Sequence, residues 1–293
     1  MMIARQLKGE IISCDAMQVY RKMDIGTAKP TAKEQKAVAH HMIDLISSRS
    51  ECSVFRHQKL ALEALQTIKA KGRLPMVVGG SGFYIQALLD GISPQQQPAR
   101  ESKVRSQLKA EAAKKGLPFL YAKLKHIDPK RAAQIHPHDE FRIIRALEIF
   151  ELSGKKPSRW HQKKTGDLKS QGFEPVIFGI ERKREELYGR INERVERMFD
   201  AGWMDEVKAL KRIGFSKTAG AAIGYRQILE YLKGEKTLDE IKSEIKKKTR
   251  QFAKRQLTWF RRDQRIKWIA VSGSRFHKKA AQIIVRRFKK AEA

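Results

Sequence analysis

Acidic residues are scarce in this chain of 293 residues: 32 Asp+Glu stand against 62 Lys+Arg, a formal net charge of +30. A field of that sign attracts polyanions, and nucleic acid or an anionic membrane surface are the usual partners. Cysteine is nearly absent. Cys14 and Cys52 fit no zinc-site spacing, and one possible bridge is no framework, so a reducing, cytoplasmic setting is expected. No run approaches the ~18 uncharged apolar residues of a membrane helix, which excludes an integral protein of that kind. Residues 1–9 are mildly basic, without the apolar centre of a secretory signal, and too short for a transit peptide. Internal repeats and low-complexity linkers are also missing. What remains is 41 % hydrophobic, enough to bury a core, on a length that suggests about two domains or one with an insertion.

The charge is uneven, with 24 Lys+Arg and 7 Asp+Glu from Lys211 to the end. Two short apolar runs, Glu10-Ile11-Ile12-Ser13-Cys14-Asp15 and Pro75-Met76-Val77-Val78-Gly79-Gly80-Ser81, read as buried parallel strands closed by polar loops. A helical period over 55–71 lies between them, giving the βαβ grammar of an α/β sheet. Residues 98–154 hold helical segments at 103–114, 118–126, 129–135 and 139–152, and no good strand. They form a candidate all-α insertion domain in a core of residues 1–97 and 155–293. The run at 174–180 is expected to resume the sheet. Helices at 184–201, 204–213, 224–233 and 238–260, a strand at 266–271 and a basic helix at 275–290 follow.

Ligands of α/β sheets collect at the carboxyl ends of the strands, where Asp15 and Ser81 fall. A carboxylate there serves as a general base or metal ligand, or caps the next helix. Gly79-Gly80-Ser81-Gly82 either lets backbone N–H groups approach an anion or makes an ordinary strand-to-helix turn. Arg190, Arg194 and Arg197 share one helical face, which suits a diphosphate or makes a solvated face balanced by Glu193 and Glu196. Over 246–262, Lys247, Arg250, Lys254 and Arg261 share a basic face. Phe252 and Trp259 share another, expected to pack on the core while the basic stripe meets a phosphate backbone. A calmodulin-target or membrane-surface helix shows similar charge, and the polar Thr249, Gln251, Gln256 and Thr258 favour nucleic acid slightly. The adjacent His40 and His41 point different ways and are a poor metal pair, as are His136 and His138.

Together these segments resemble the tRNA dimethylallyltransferase (tRNA isopentenyltransferase) family. The resemblance rests on Ile12-Ser13-Cys14-Asp15-Ala16-Met17-Gln18-Val19-Tyr20 and Met23-Asp24-Ile25-Gly26-Thr27-Ala28-Lys29-Pro30. It continues through His40-His41-Met42-Ile43-Asp44, Val78-Gly79-Gly80-Ser81-Gly82-Phe83-Tyr84, Arg142-Ile143-Ile144-Arg145-Ala146-Leu147-Glu148, Gly224-Tyr225-Arg226-Gln227 and residues 249–261. It implies an α/β fold: a P-loop-kinase-like parallel sheet core, an all-α insertion domain and a basic helical C-terminal region. The implied reaction transfers a dimethylallyl group from dimethylallyl diphosphate to N6 of the adenosine 3′ to the anticodon of a tRNA, with Mg²⁺ as cofactor. By position, Asp15 is then the general base, Ser81 stands for a usual threonine beside the reacting centre, and Arg194 binds the diphosphate. Asp15, Ala16, Met17, Gln18, Ser81, Arg105, Phe141, Arg142, Ile143, Ile144, Arg145, Arg226, Arg250 and Lys254 are the residues expected to touch the tRNA anticodon stem-loop. A monomer without a membrane partner is expected.

Two features depart from that family. Ala16 replaces a usual serine, and no Gly-x-x-x-x-Gly-Lys-Ser/Thr phosphate loop occurs in the 293 residues. The family normally places a strand, that loop and a helix before the Glu10–Asp15 strand; residues 1–9 resemble the tail of that helix, and the missing strand is expected to leave a gap in the sheet. The continuity of the downstream motifs favours a start upstream of Met1. The reading from a different class is a catalytically impaired tRNA-binding protein. A nucleotide kinase of related fold fits worse, for want of the loop and because of the net charge.

Overall fold

The computed structural model describes residues 1–92, 103–160, 166–273 and 276–292. In chain order the elements are α1 (Met2–Gln6), β1 (Gly9–Ser13), α2 (Ala32–Ala37), β2 (His40–His41), α3 (Val54–Ala70), β3 (Leu74–Val78) and α4 (Gly82–Asp90). They continue with α5 (Lys103–Lys115), α6 (Leu117–Ile127), α7 (Pro129–Ala132), α8 (Glu140–Ser153) and α9 (Pro157–Trp160). Then come β4 (Phe178–Glu181), α10 (Arg184–Asp200), α11 (Trp203–Ile213), α12 (Lys217–Gly220), α13 (Tyr225–Tyr231), α14 (Leu238–Phe260), β5 (Lys267–Ala270) and α15 (Phe276–Glu292). The chain divides into two compact units, Met1–Leu89 with Gly172–Ala293, and Asp90–Gln171.

In the larger unit β1 is the middle strand of a parallel sheet ordered β2-β1-β3, with Ile11 opposite His40 and Met76. Ile11, Ile12 and Ser13 are buried. The crossover to β3 is α3, started by Ser53, whose side chain accepts from Arg56 N, and docked through His57, Ala61, Leu65 and Ile68. The strand at β4 does not rejoin this sheet and pairs in parallel with β5 instead. The short strand β2 carries no sequence signal of its own. It exists because Ile11 and Ile12 hold His40 and His41 in register, and both histidines are tied locally. His40 Nδ1 lies 2.7 Å from Val38 O and His41 Nε2 2.7 Å from the Glu10 carboxylate.

The smaller unit is helical and has its own core of Leu108, Leu120, Leu124, Ala132, Ile135, Ile143, Ile144, Ala146 and Leu147. It is wider than the expected 98–154. Asp128, 1 % exposed, caps α7 by accepting from Arg131 N and also accepts from Ser158 N at 2.7 Å. That carboxylate draws the chain beyond 154 into the unit, and Leu168 is buried as well.

Candidate active site and nucleic-acid interface

The carboxyl ends of β1 and β3 are bound together at the backbone. Cys14 N donates to Val78 O at 2.8 Å, and a side-chain carbon on Gly79 would collide with the Cys14 backbone, so only glycine fits there. One residue further, Ala16 N donates to Ser81 Oγ across 3.0 Å. Asp15 then folds its own loop by accepting from Met17 N at 2.8 Å through Oδ1, and caps a turn rather than a helix. Its Oδ2 accepts no hydrogen bond among the described residues. Ser13 Oγ donates to Gln18 Oε1 at 2.7 Å, and the Gln18 amide donates to Thr27 O at 3.1 Å. The Cys14 thiol, pushed up to about 12 by burial and by the neighbouring Asp15 charge, is no nucleophile here.

Gly80 and Gly82 serve a purpose that neither sequence reading anticipated. Gln256 of α14 donates to Gly80 O at 2.8 Å and fills the space a Cβ would need, while the Trp259 ring occupies the corresponding space at Gly82. The glycines therefore let α14 settle onto the loop that carries Ser81. The expectation that Phe252 and Trp259 form the core-facing side of this helix is not met. They are 39 % and 37 % exposed, and α14 is buried through Ile241 and Ile245 near its other end. Along the outer side Gln251, Lys254, Arg255, Thr258, Trp259 and Arg262 line an open groove of about 450 Å³. Arg250 is only half-buried, its guanidinium donating to Asn192 at 2.7 Å.

The arginine face of α10 is divided among different partners. Arg190 lies over the Phe276 ring at 5.1 Å. Arg194 has no ion-pair partner among the described residues. Enclosure by protein lowers the pKa of its guanidinium most, the Asp15 charge raises it, and Arg197 lowers it again. Although Arg194 remains open to solvent, the base candidate and the diphosphate candidate are thus within electrostatic reach. Glu196 does not balance these arginines, because it pairs with Lys242 at 2.9 Å and with Lys246.

Sequence reasoning missed Glu206 altogether. Its carboxylate accepts from three consecutive backbone N–H groups, Asp24, Ile25 and Gly26, at 2.8, 2.7 and 3.2 Å, and from the Tyr225 hydroxyl at 2.6 Å. Lys29 was equally silent: its side chain is 3 % exposed, and its ammonium donates to Tyr20 O, Asp24 and Asp44. The only available signal was a lysine and two aspartates inside otherwise apolar motifs. Arg226, beside Tyr225, is 65 % exposed at its side chain and pairs with Glu230 at 3.0 Å.

In the helical unit the expected RNA contacts separate into two groups. Arg105 and Arg145 both donate to Glu148, at 2.5 and 2.7 Å, and Glu148 is fully buried. The side chains of Ile143 and Ile144 lie in the core. Phe141 is 75 % exposed, and Arg142 is exposed beside its partner Asp139.

With this geometry in view, a family model described as IPP transferase matches residues 18–263. The chain belongs to the IPP transferase family. It is 43 % identical to a tRNA dimethylallyltransferase of Syntrophomonas wolfei over 92 % of this chain and 86 % of that protein. It is 41 % identical to that of Thermoanaerobacter sp. over 97 % and 90 %. Among solved structures, the tRNA isopentenylpyrophosphate transferase of Bacillus halodurans superposes with a TM-score of 0.68 at 38 % identity, covering 99 % of this chain and 93 % of that one. A eukaryotic dimethylallyltransferase described as acting on tRNA gives 0.75 at 26 % identity, over 92 % and 69 %.

For an IPP transferase the question of Mg²⁺ turns on available oxygens. The described residues contain no group of three or more His, Cys, Asp or Glu able to cage a metal. Mg²⁺ is ordinarily held by one or two protein oxygens plus substrate phosphates. Ser81 Oγ, on the loop after β3, would be one such oxygen, with the diphosphate supplying the others. No helix among the described residues is long and apolar enough to cross a membrane.

Proposed function

We propose that this IPP transferase moves a dimethylallyl group from dimethylallyl diphosphate to N6 of the adenosine 3′ to the anticodon of a tRNA. The observation that carries the reading is the placement of Asp15, with one carboxylate oxygen uncommitted, within electrostatic reach of the unpaired Arg194 guanidinium. The N6 nitrogen forms a bond to C1 of the dimethylallyl group as the bond from C1 to the diphosphate oxygen breaks. Asp15 Oδ2 takes the amine proton, and the diphosphate leaves with the electron pair. An aryl amine is a weak nucleophile, so stabilising the leaving diphosphate is the larger contribution and the base supplies about 10²–10⁴-fold. Arg194 grips that diphosphate, with Arg197 adding positive field. Mg²⁺, held by the diphosphate with Ser81 Oγ, would neutralise charge on the leaving group.

The adenosine has to leave its stack to reach Asp15, at a cost of a few kcal/mol that is smaller in an unpaired loop. In this reading Ala16, Met17 and Gln18 line the approach, Trp259 and Phe141 offer exposed rings for unstacked bases, and Lys254, Arg226 and Arg142 meet the backbone. Arg105 and Arg145 act through Glu148, holding the helical unit that presents Phe141. The protein works as a cytoplasmic monomer.

The test is incubation with dimethylallyl diphosphate, Mg²⁺ and an unmodified anticodon stem-loop, following the RNA mass. The expected outcome is a gain of one dimethylallyl group that disappears with Asp15→Ala. An RNA that binds and gains nothing would refute the enzymatic reading.

A further inference from the structure

We infer that the outward face of α15 is a docking surface for an RNA phosphate backbone, separate from the groove on α14. The inference rests on the tRNA reading above and adds a surface to it. Between Phe276 and Ala291 the helix carries Lys278, Lys279, Arg286, Arg287, Lys289 and Lys290; the acidic residue of α15 is Glu292, at its last position. All six are exposed, and none has an ion-pair partner among the described residues.

An ordinary solvated helix face in this protein looks different. On α14, Lys248 pairs with Glu244 at 2.7 Å and Lys242 reaches Glu196 at 2.9 Å; on α5, Lys115 pairs with Glu111 at 3.2 Å. On α15 the neighbours at helical spacing are alike in sign: Arg286 with Lys289 and Lys290, and Arg287 with Lys290. Such pairs destabilise a helix, and no ion pair among the described side chains offsets them. A polyanion would.

The opposite face decides which polyanion. Ala280, Ala281 and Ile284 are buried, packed with Ile269, Val271, Phe178 and Ile3. A helix that binds membranes stably ordinarily inserts an apolar face as well, and the apolar face of α15 is already spent on the fold. The remaining stripe of Lys279, Gln282, Arg286 and Lys290 extends ~16 Å along the axis, suited to successive phosphates on a rigid strand. The helix also begins next to the arginine face of α10. Its Phe276 ring has Arg182 at 3.5 Å and Arg190 at 5.1 Å, and Arg190 is one helical turn from Arg194. An RNA reacting near Arg194 would carry its flanking backbone past this edge of the molecule.

The experiment compares the full chain with a Lys279→Gln/Arg286→Gln/Lys290→Gln variant. An unmodified tRNA transcript and its anticodon stem-loop are titrated from about 50 to 400 mM salt, since counterion release reports phosphate contacts. The expected result is tRNA affinity at least about tenfold weaker, with the slope of log K against log salt shallower by about two. Thermal melting shows whether the variant is folded. Should it not be, Lys279→Gln/Lys290→Gln is the smaller change, read by the same slope. Superimposable salt titrations for wild type and a folded variant overturn the inference. So does loss of binding to phosphatidylserine vesicles with tRNA binding unchanged, which would assign α15 to a lipid surface. A wild-type chain that prenylates the stem-loop while the variant titrates normally leaves the enzymatic reading intact and removes only this one. A wild-type chain that neither binds nor prenylates tRNA removes both.

Discussion

The Ser81 hydroxyl accepts the backbone N–H of Ala16 at 3.0 Å, tying the loop after β3 to the loop after β1 one residue beyond Asp15. Losing that acceptor leaves a half-buried amide unmatched, at a cost of about 1–3 kcal/mol, and frees the loop that aims Asp15. Ser81→Ala is therefore expected to lower kcat about tenfold or more, and Ser81→Thr, which keeps the hydroxyl, to retain most of it. Steady-state prenylation of a stem-loop checks both; equal rates for alanine and threonine would remove Ser81 from the positioning of the base.

Asp15→Asn keeps the acceptor for Met17 N and removes the base. Turnover is expected to fall by about 10²–10⁴-fold with stem-loop affinity nearly unchanged, as measured by single-turnover kinetics beside a binding titration. A loss of affinity equal to the loss of rate would make Asp15 a binding residue instead.

Arg194→Ala removes a guanidinium that pairs with no carboxylate among the described residues. A fall in kcat/KM for the diphosphate donor of about 10²–10³-fold is expected, with stem-loop affinity little changed. Arg194→Lys restores charge without the bidentate fork and should recover only part. Complete recovery by lysine would show that Arg194 acts through its charge alone.

The elements bearing Asp15, Ser81 and Arg194 were legible because each has a strong local pattern. The apolar runs ending in Asp15 and Ser81 are brief and β-rich, and 184–201 and 238–260 have clear helical periods. What was not legible depends on partners distant in sequence. β2 is two residues long and is created by its register with β1. β4 found β5 rather than the main sheet, and an apolar run does not name its neighbour. Phe252 and Trp259 have the spacing of a buried face, but Gly80 and Gly82 draw that end of α14 onto the strand-end loops, leaving both rings partly exposed. Arg105 and Arg145 read as surface cations until Glu148, buried between them, appears.

Glu206 gathers the N–H groups of Asp24, Ile25 and Gly26 and the hydroxyl of Tyr225, so one side chain holds the 24–26 loop against α13. With Glu206→Ala all four donors lose their acceptor. The cost is expected at about 2–3 kcal/mol, a fall in Tm of roughly 3–5 °C for a chain of this size. Glu206→Gln, which keeps one oxygen, should fall between. Differential scanning calorimetry distinguishes these; an alanine variant that melts with wild type would show that the 24–26 loop does not depend on this carboxylate.

His57 is 1 % exposed beneath Ser13, its ring 4.6 Å from that of Tyr84. Burial pushes its pKa down to about 4, opposed by a hydrogen bond to the Ser13 backbone. The unfolded chain titrates at about 6.5, so the folded state keeps this residue neutral where the unfolded state takes up a proton. Its contribution to stability is complete above about pH 6.5 and is lost progressively as pH falls toward 4. Between pH 7 and pH 5 the loss from this one group should approach 2 kcal/mol. His57→Phe cannot take up that proton, and its unfolding free energy should decline less over the same interval, whatever the cost of losing the Ser13 contact at pH 7. Urea unfolding of both proteins at the two pH values gives the comparison directly. Parallel declines would mean that the histidine takes up its proton in the folded state and that the carboxylates set the acid limit.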